Sequence, residues 1–171
     1  AGDSDKNNYE SLTYEGYGPN GVAVIVECLT DNKNRTAGNI RHYFDKFGGN
    51  LGTTGCVSYL FSEKGIVVLE HEGELDEDTV LEDVMDLGGD DMTFSEDSVE
   101  IICDPSAVGE LREGLTAKGY LVVSAEAEQI PATYVTLTEE ESLRKMGLLL
   151  EHLEDDDDVQ NVWHNWEMPE E

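Results

Sequence analysis

Residues 66–103 read IVVLEHEGELDEDTVLEDVMDLGGDDMTFSEDSVEIIC, a stretch in which the hydrophobic periodicity changes three times. Ile66–Glu70 is a short apolar run typical of a strand, and Asp76–Leu87 has helical spacing that stops at two glycines. Met92–Phe94 and Val99–Cys103 then alternate like the two strands of a hairpin. The helix is expected to bury Leu81, Val84 and Met85.

The residues that follow repeat the helix and the strand. Asp104 and Pro105 form the cap-then-proline pair that begins many helices, and Gly119 marks the end of this one. Its expected buried positions are Val108, Leu111 and Leu115. Tyr120–Ala127 is a further strand candidate. The order over residues 66–128 is therefore βαββαβ, the ferredoxin-like arrangement.

A second set of elements precedes this unit. Leu12–Tyr17 and Val22–Thr30 flank a turn, Gly18-Pro19-Asn20-Gly21, which predicts a hairpin. Asn34 is expected to cap a helix that ends at Gly48-Gly49. Its apolar face would consist of Ile40, Phe44 and Phe47, and the alternation of Val57, Tyr59 and Phe61 with serines predicts one more strand.

Further elements follow the βαββαβ unit. The capping-box pair Thr138 and Glu141 predicts a helix over Thr138–Leu153, and Val159–Trp166 is a last strand candidate. The helix would bury Leu143, Met146, Leu150 and Leu153. We therefore predict an α+β protein of two α/β modules, in which a ferredoxin-like domain (66–128) is inserted into a discontinuous domain (11–65 plus 129–168). Residues 1–10 are expected to be a disordered lead.

Charge is distributed unevenly along this acidic chain. Ten Lys and Arg against 39 Asp and Glu give a net charge of −29. Residues 1–65 contribute about −2 and residues 66–171 about −27. A surface this acidic repels polyanions, so the chain alone is expected to bind nucleic acid weakly.

One short stretch is locally basic, and it contains the predicted anion-binding residues Lys33, Asn34, Arg35, Arg41 and Lys46. The free N–H groups at the start of a helix favour phosphate, and arginine can bind phosphate through two parallel hydrogen bonds. These residues are our candidates for nucleic-acid contact. The alternative is structural: Arg35 and Arg41 would pair with acids of the second module.

The glycine-rich loop 48–55 offers a second kind of anion contact, through backbone N–H groups of Gly49, Gly52 and Gly55. The loop follows a helix and lacks the Lys-Ser/Thr ending of a nucleotide-binding loop. The alternative is an ordinary helix-to-strand connection.

Sequence motifs for catalysis or cofactor binding are missing. The four histidines and three cysteines have no zinc spacing, and no serine or cysteine nucleophile motif is present. Asp155–Asp158 could gather a divalent cation but lacks the spacing of a calcium loop, so we expect a solvated acidic turn. We predict a non-enzymatic protein without cofactor or metal, and, from its unpaired cysteines and the lack of a long apolar run, a cytoplasmic one away from membranes.

Several motifs in register resemble the YebC family, over roughly residues 9–166. They are Tyr14–Pro19 (YEGYGP), Val26–Thr36 (VECLTDNKNRT), Gly48–Gly52 (GGNLG) with Gly55, and Asp155–Gln160 (DDDDVQ) followed by Val162 and His164-Asn165. The resemblance implies a third, basic N-terminal helical domain, absent from this sequence, that would carry most of the nucleic-acid affinity. It also implies a regulator of gene expression, either a DNA-binding transcriptional regulator or a ribosome-associated translation factor that relieves stalling at proline-rich stretches. The partner would be DNA or ribosomal RNA, and the oligomeric state is open. A small-molecule-binding regulatory domain is the alternative function, by analogy with other ferredoxin-like units.

Overall fold

The computed structural model describes residues 8–169. Its strands are β1 (Glu10–Tyr17), β2 (Ala23–Thr30), β3 (Asn50–Leu51), β4 (Phe61–Glu70), β5 (Gly89–Phe94), β6 (Ser98–Cys103), β7 (Leu121–Pro131) and β8 (Val159–His164). Its α-helices are α1 (Lys33–Lys46), α2 (Glu77–Asp86), α3 (Val108–Ala117) and α4 (Glu140–Asp155). Most of the predicted disordered lead lies outside the described residues, and Glu10 at its end already belongs to β1. No helix in residues 8–169 is long and apolar enough to span a membrane.

The chain forms two compact units. The first contains residues up to Phe61 and from Pro131 onwards, and the second contains Ser62–Ile130. The predicted α+β class, with a ferredoxin-like βαββαβ unit inserted into another α/β module, is confirmed.

The first unit is a four-stranded sheet in the order β3-β1-β2-β8. The predicted hairpin pairs β1 with β2 over their full lengths, from Glu10 opposite Thr30 to Tyr17 opposite Ala23. Helices α1 and α4 pack on one face of the sheet around a core that includes Val24, Phe44 and Met146. A smaller apolar cluster covers the other face and consists of Ala23, Ile25, Val57 and Phe61.

The second unit has the sheet order β5-β6-β4-β7, which in its own numbering is 2-3-1-4 and is the ferredoxin-like topology. β6 pairs antiparallel with both β4 and β5. Alternate residues of the central strands, such as Val67, Leu69 and Ile101, enter one core with Leu111 and Leu115 of α3.

Predictions about one buried helix face, one strand and one helix start are wrong. In α2 the buried residues are Val80 and Val84, whereas Leu81 and Met85 are exposed, so the apolar face was placed one residue out of phase. Residues 58–60 form a 3-10 turn, and the strand begins only at Phe61. Helix α4 begins at Glu140, so Thr138 precedes its first turn and forms no capping box.

Candidate nucleic-acid interface

Asn32, not the predicted Asn34, caps helix α1, since its side chain accepts a hydrogen bond from the Arg35 backbone N–H. Asn34 lies inside the first turn and is exposed. The acceptor at the start of the helix therefore comes from the residue that precedes Lys33. Asn34 does not supply the cap on which its predicted phosphate contact rested.

The chain itself places an anion at this helix start. The carboxylate of Asp158 accepts hydrogen bonds from the Arg35 guanidinium at 3.0 and 3.1 Å and from the buried Thr36 hydroxyl at 2.9 Å. Burial alone would raise the pKa of Asp158, but the Arg35 and Thr36 hydrogen bonds and the Arg35 charge hold it below its ordinary value. Asp158 thus remains ionised and engages the Arg35 guanidinium that was predicted to contact phosphate.

The surroundings of Arg35 are acidic as well. Arg35 also contacts Asp31 at 3.3 Å, and the shallow groove beside it is lined by Asp156 and Asp157 in addition to Asp31 and Asp158. One guanidinium among four carboxylates leaves an excess of negative charge, which repels a phosphate. Arg35 has the structural role considered above as the alternative, except that its acidic partners belong to its own unit.

The acidic run at the end of α4 is an ordered connection in which alternate residues have different environments. Asp155 and Asp157 are exposed, as expected for a solvated turn. Asp156 instead accepts hydrogen bonds from the Tyr43 hydroxyl at 2.8 Å and from the Asp158 backbone N–H at 2.9 Å. Burial, helped by the Asp156 hydrogen bond and charge, raises the pKa of Tyr43 to about 12. The even-numbered acids therefore join α4 and β8 to α1.

The backbone N–H groups of three glycines in the loop after α1 donate hydrogen bonds to acceptors within the chain. The N–H of Gly49 donates to the Phe44 carbonyl oxygen at 2.9 Å, and that of Gly52 donates to the Glu15 carbonyl oxygen at 2.9 Å. The N–H of Gly55 donates to the Glu15 carboxylate at 2.7 Å. All three predicted phosphate donors already have acceptors. Gly49 is needed instead for close packing, because a Cβ there would clash with the Tyr17 carbonyl oxygen.

Glu15 is a buried carboxylate that the sequence analysis did not single out, with only 4% of its surface exposed. Besides Gly55, it accepts hydrogen bonds from the backbone N–H groups of Val57 and Ser58 at 3.1 and 2.7 Å. Burial alone raises the pKa of Glu15, but these backbone donors outweigh burial and hold the pKa below its ordinary value. An internal anion thus fixes the glycine loop against β1.

Three exposed candidates, Lys33, Asn34 and Arg41, share one side of α1. The two cations among them, Lys33 and Arg41, lie eight residues apart, which places them roughly 80° apart around the helix axis and about 12 Å along it. Neither forms an ion pair with any residue of the described range. Lys46 lies roughly 140° around the helix axis from both Lys33 and Arg41. Its Nζ is 5.5 Å from the centre of the Phe47 ring. The structure therefore divides the five predicted residues into different faces of the helix.

Arg41 lines a shallow groove of about 380 Å³ between α1 and the glycine loop. Its walls are formed by Thr13, Tyr14, Glu15, Ala37, Leu51, Gly52, Thr53 and Thr54. The Glu15 carboxylate is already engaged by the backbone N–H groups of Gly55, Val57 and Ser58. An exposed guanidinium beside hydroxyl donors is suited to phosphate oxygens, which accept hydrogen bonds from both kinds of group. Arg41 and Gly52 were among the predicted site residues, but Thr53 and Thr54 were not, because only the return of the loop to β1 places these threonines beside α1.

The cysteine thiols are wholly or partly buried. Cys28 and Cys103 are buried free thiols, and Cys56 is partly buried. Burial raises the pKa of Cys28 to about 12, so its thiol stays protonated. In the described part of the chain, no group of three or more His, Cys, Asp or Glu side chains converges as metal ligands would.

The fold defines a two-domain α+β protein in which a ferredoxin-like domain interrupts a sheet domain, and the exposed Arg41 groove lies on the latter. The chain belongs to the TACO1/YebC family: the model of the family's second and third domains matches residues 9–166. The predicted resemblance is therefore confirmed.

Relatives of known name support the same assignment. A "Probable transcriptional regulatory protein" of Acetivibrio thermocellus is 53% identical over 166 residues, which cover 97% of this chain and 69% of the relative. A second "Probable transcriptional regulatory protein", from Clostridioides difficile, is 50% identical over 168 residues, which cover 98% of this chain and 70% of the relative. The crystal structure of a conserved hypothetical protein from Aquifex aeolicus superposes with a TM-score of 0.82 at 41% identity, covering 96% of this chain and 67% of that one.

Proposed function

We propose that this chain is the acidic two-domain part of a non-enzymatic regulator of gene expression, and that its Arg41 groove contacts the sugar-phosphate backbone of a nucleic acid. The names of its relatives, probable transcriptional regulatory proteins, support the regulatory class. The observation that carries the contact is the exposed Arg41, which has hydroxyl neighbours and no ion-pair partner among residues 8–169.

Electrostatics limits the role of this groove. With a net charge of −29, the chain opposes the approach of a polyanion, so Arg41 and Lys33 can position a nucleic acid but cannot supply most of the affinity. Phosphate contacts of this kind set register and carry no sequence information. Sequence or site selection, and most of the affinity, would come from elsewhere in the full-length protein.

The test uses the full-length natural protein with Arg41→Gln, and Arg112→Gln as the matched control. Arg112 is an exposed arginine on α3 of the second unit, so both variants remove one positive charge from a helix surface. The affinity for nucleic acid is measured against salt concentration. Losing one phosphate contact lowers the slope of log K against log salt by about 0.9 for duplex DNA or about 0.7 for a single strand.

The nucleic acid itself is identified by ultraviolet crosslinking of the same proteins in cells, followed by sequencing. Discrete promoter DNA would assign the protein to transcription, and ribosomal RNA would assign it to translation. The yield is expected to fall with Arg41→Gln and to stay at the wild-type level with Arg112→Gln. Equal slopes and equal yields for the two variants would remove the groove from the interface, and a crosslinked fraction without nucleic acid would overturn the proposed function.

A further inference from the structure

An apolar groove of about 290 Å³ lies in the first unit between α4 and the residues that follow β8. Gly147, Leu150, Trp166 and Met168 supply its apolar lining. Gly147 leaves the floor open, because a Cβ built there meets no atom within 4 Å. Met168 is 57% exposed, and an unbranched methionine side chain adapts to different partners. The groove has room for one medium-sized apolar side chain.

Three acids also line this groove: Glu151, Glu154 and Asp155. They lie within five residues on the last turns of α4, where i,i+3 and i,i+4 neighbours of like charge repel each other. Carboxylates at the C-terminal end of a helix also oppose its dipole. None of the three forms an ion pair within the described chain. This arrangement disfavours the isolated helix and would be relieved by a cation from outside.

The groove has no positive charge of its own. His164 lines it, but burial lowers the pKa of His164, so the ring is neutral at physiological pH. Its Nδ1 accepts a hydrogen bond from the Trp166 backbone N–H at 3.2 Å. The negative charge of the rim is therefore not compensated locally.

Trp166 contributes an apolar surface to this groove. The residue is 94% buried, and its indole Nε1, which has no hydrogen-bond partner among residues 8–169, is itself inaccessible. A ligand in the groove therefore meets the Trp166 ring as an apolar surface.

We propose that this groove binds a segment of another protein in which an apolar side chain lies between lysine or arginine residues. The apolar side chain would pack on Leu150 and Trp166, above Gly147, and the flanking cations would pair with the acidic rim. A nucleic acid does not suit this groove, since the three carboxylates repel phosphate.

The probe is a capped hexapeptide, Lys-Leu-Lys-Lys-Leu-Lys, titrated into the protein. The chain has two tryptophans, so Trp163→Phe leaves Trp166 as the only indole reporter. We expect a saturable change in tryptophan fluorescence and an affinity that decreases with salt. A peptide with glycine in place of leucine keeps the charge and is expected to bind at least tenfold more weakly.

Two variants of the groove separate its charge from its shape, each with a matched control on the second unit. Glu151→Gln/Glu154→Gln/Asp155→Asn is compared with Asp78→Asn/Glu82→Gln/Asp86→Asn, three exposed acids of α2. Gly147→Phe, which fills the floor, is compared with Gly109→Phe on α3, where a Cβ also meets no atom within 4 Å.

The groove variants are expected to lose at least tenfold in peptide affinity, and the controls less than twofold. Equal losses in groove and control variants, equal binding of the leucine and glycine peptides, or no saturable binding would each overturn the proposal. Nucleic-acid crosslinking through Arg41 is measured separately, so the outcome does not depend on the proposed function.

Discussion

Replacing Glu15 by glutamine removes the internal anion of the glycine loop while it keeps the shape of the side chain. In the wild type, one carboxylate oxygen accepts from Val57 and Ser58 at 3.1 and 2.7 Å, and the other accepts from Gly55 at 2.7 Å. Glutamine retains one acceptor oxygen for Val57 and Ser58. Its amide NH₂ then faces the Gly55 N–H, and two donors oppose each other.

The expected cost follows from these three contacts. Hydrogen bonds to a charged group contribute about 1.5–3 kcal/mol, against about 0.5–1.5 kcal/mol for neutral ones, and an unsatisfied buried donor costs about 1–3 kcal/mol. Water reaches the exposed Gly55 and reduces the last figure. We therefore expect Glu15→Gln to destabilise the loop by about 2–3 kcal/mol, which corresponds to a roughly 30- to 150-fold increase in its opening.

Native-state hydrogen exchange measures this opening directly, at the amides of Val57 and Ser58. Their exchange rates are expected to rise roughly 30- to 150-fold in Glu15→Gln. Glu10→Gln is the control, since Glu10 is an exposed acid on the same strand. It should leave both rates unchanged.

The pH dependence gives an independent check on Glu15. The folded pKa lies below the ordinary value of 4.5, so the carboxylate stabilises the fold above that pH. This contribution is lost as the pH falls through the lower folded pKa. Glu15→Gln should lack that part of the acid slope. Unchanged exchange rates in Glu15→Gln, or an acid slope identical to that of wild type, would refute the view that the carboxylate holds the loop.

Three further predictions concern other sites. Asp158→Ala leaves the buried Thr36 hydroxyl without its carboxylate and should lower the free energy of unfolding by about 1–2 kcal/mol, while Asp157→Ala, at an exposed neighbour, should leave it unchanged in urea denaturation. His164 has a folded pKa below 6.5, so the unfolded chain takes up a proton first and the fold loses stability as the pH falls below about 6.5. His164→Gln should flatten that part of the plot of melting temperature against pH. An unaltered plot would contradict the lowered pKa of His164. Gly114→Ala would place a Cβ 2.5 Å from a methyl carbon of Leu87. Overpacking of about 1–3 kcal/mol should therefore lower the melting temperature, although alanine favours helices. A higher melting temperature would show that Leu87 can move away.

Periodicity and turn chemistry in the sequence predicted all four helices and the βαββαβ order of the second unit, but they missed the two-residue strand β3 and placed a separate strand at residues 57–61. Gly18-Pro19-Asn20-Gly21 predicts the β1–β2 hairpin because proline and glycine restrict the turn locally, and alternating apolar residues place Val67, Leu69 and Ile101 in one core. The sequence did not determine which face of α2 is buried. Its apolar residues are too few to distinguish a face with Val80 from one with Leu81, and packing against the sheet decided between them.

The site depended on tertiary structure, since charge along a chain does not reveal which charges meet. Lys33, Arg35, Arg41 and Lys46 appear as one basic stretch in the sequence. A carboxylate 123 residues away in the sequence neutralises Arg35, and the helical turn places Lys46 on another side.

For the glycine loop, too, the sequence determined one part of the site and the fold the other. Its composition correctly indicates a segment whose backbone can surround an anion, but it does not indicate which anion. Glu15, 40 residues before Gly55, occupies that position in the fold. The sequence by itself determined the family, the fold class and the charge. Only the tertiary structure decided that Arg35 pairs with Asp158 and that the Gly55 N–H donates to Glu15, because folding brings these carboxylates to donors that lie far from them in the sequence.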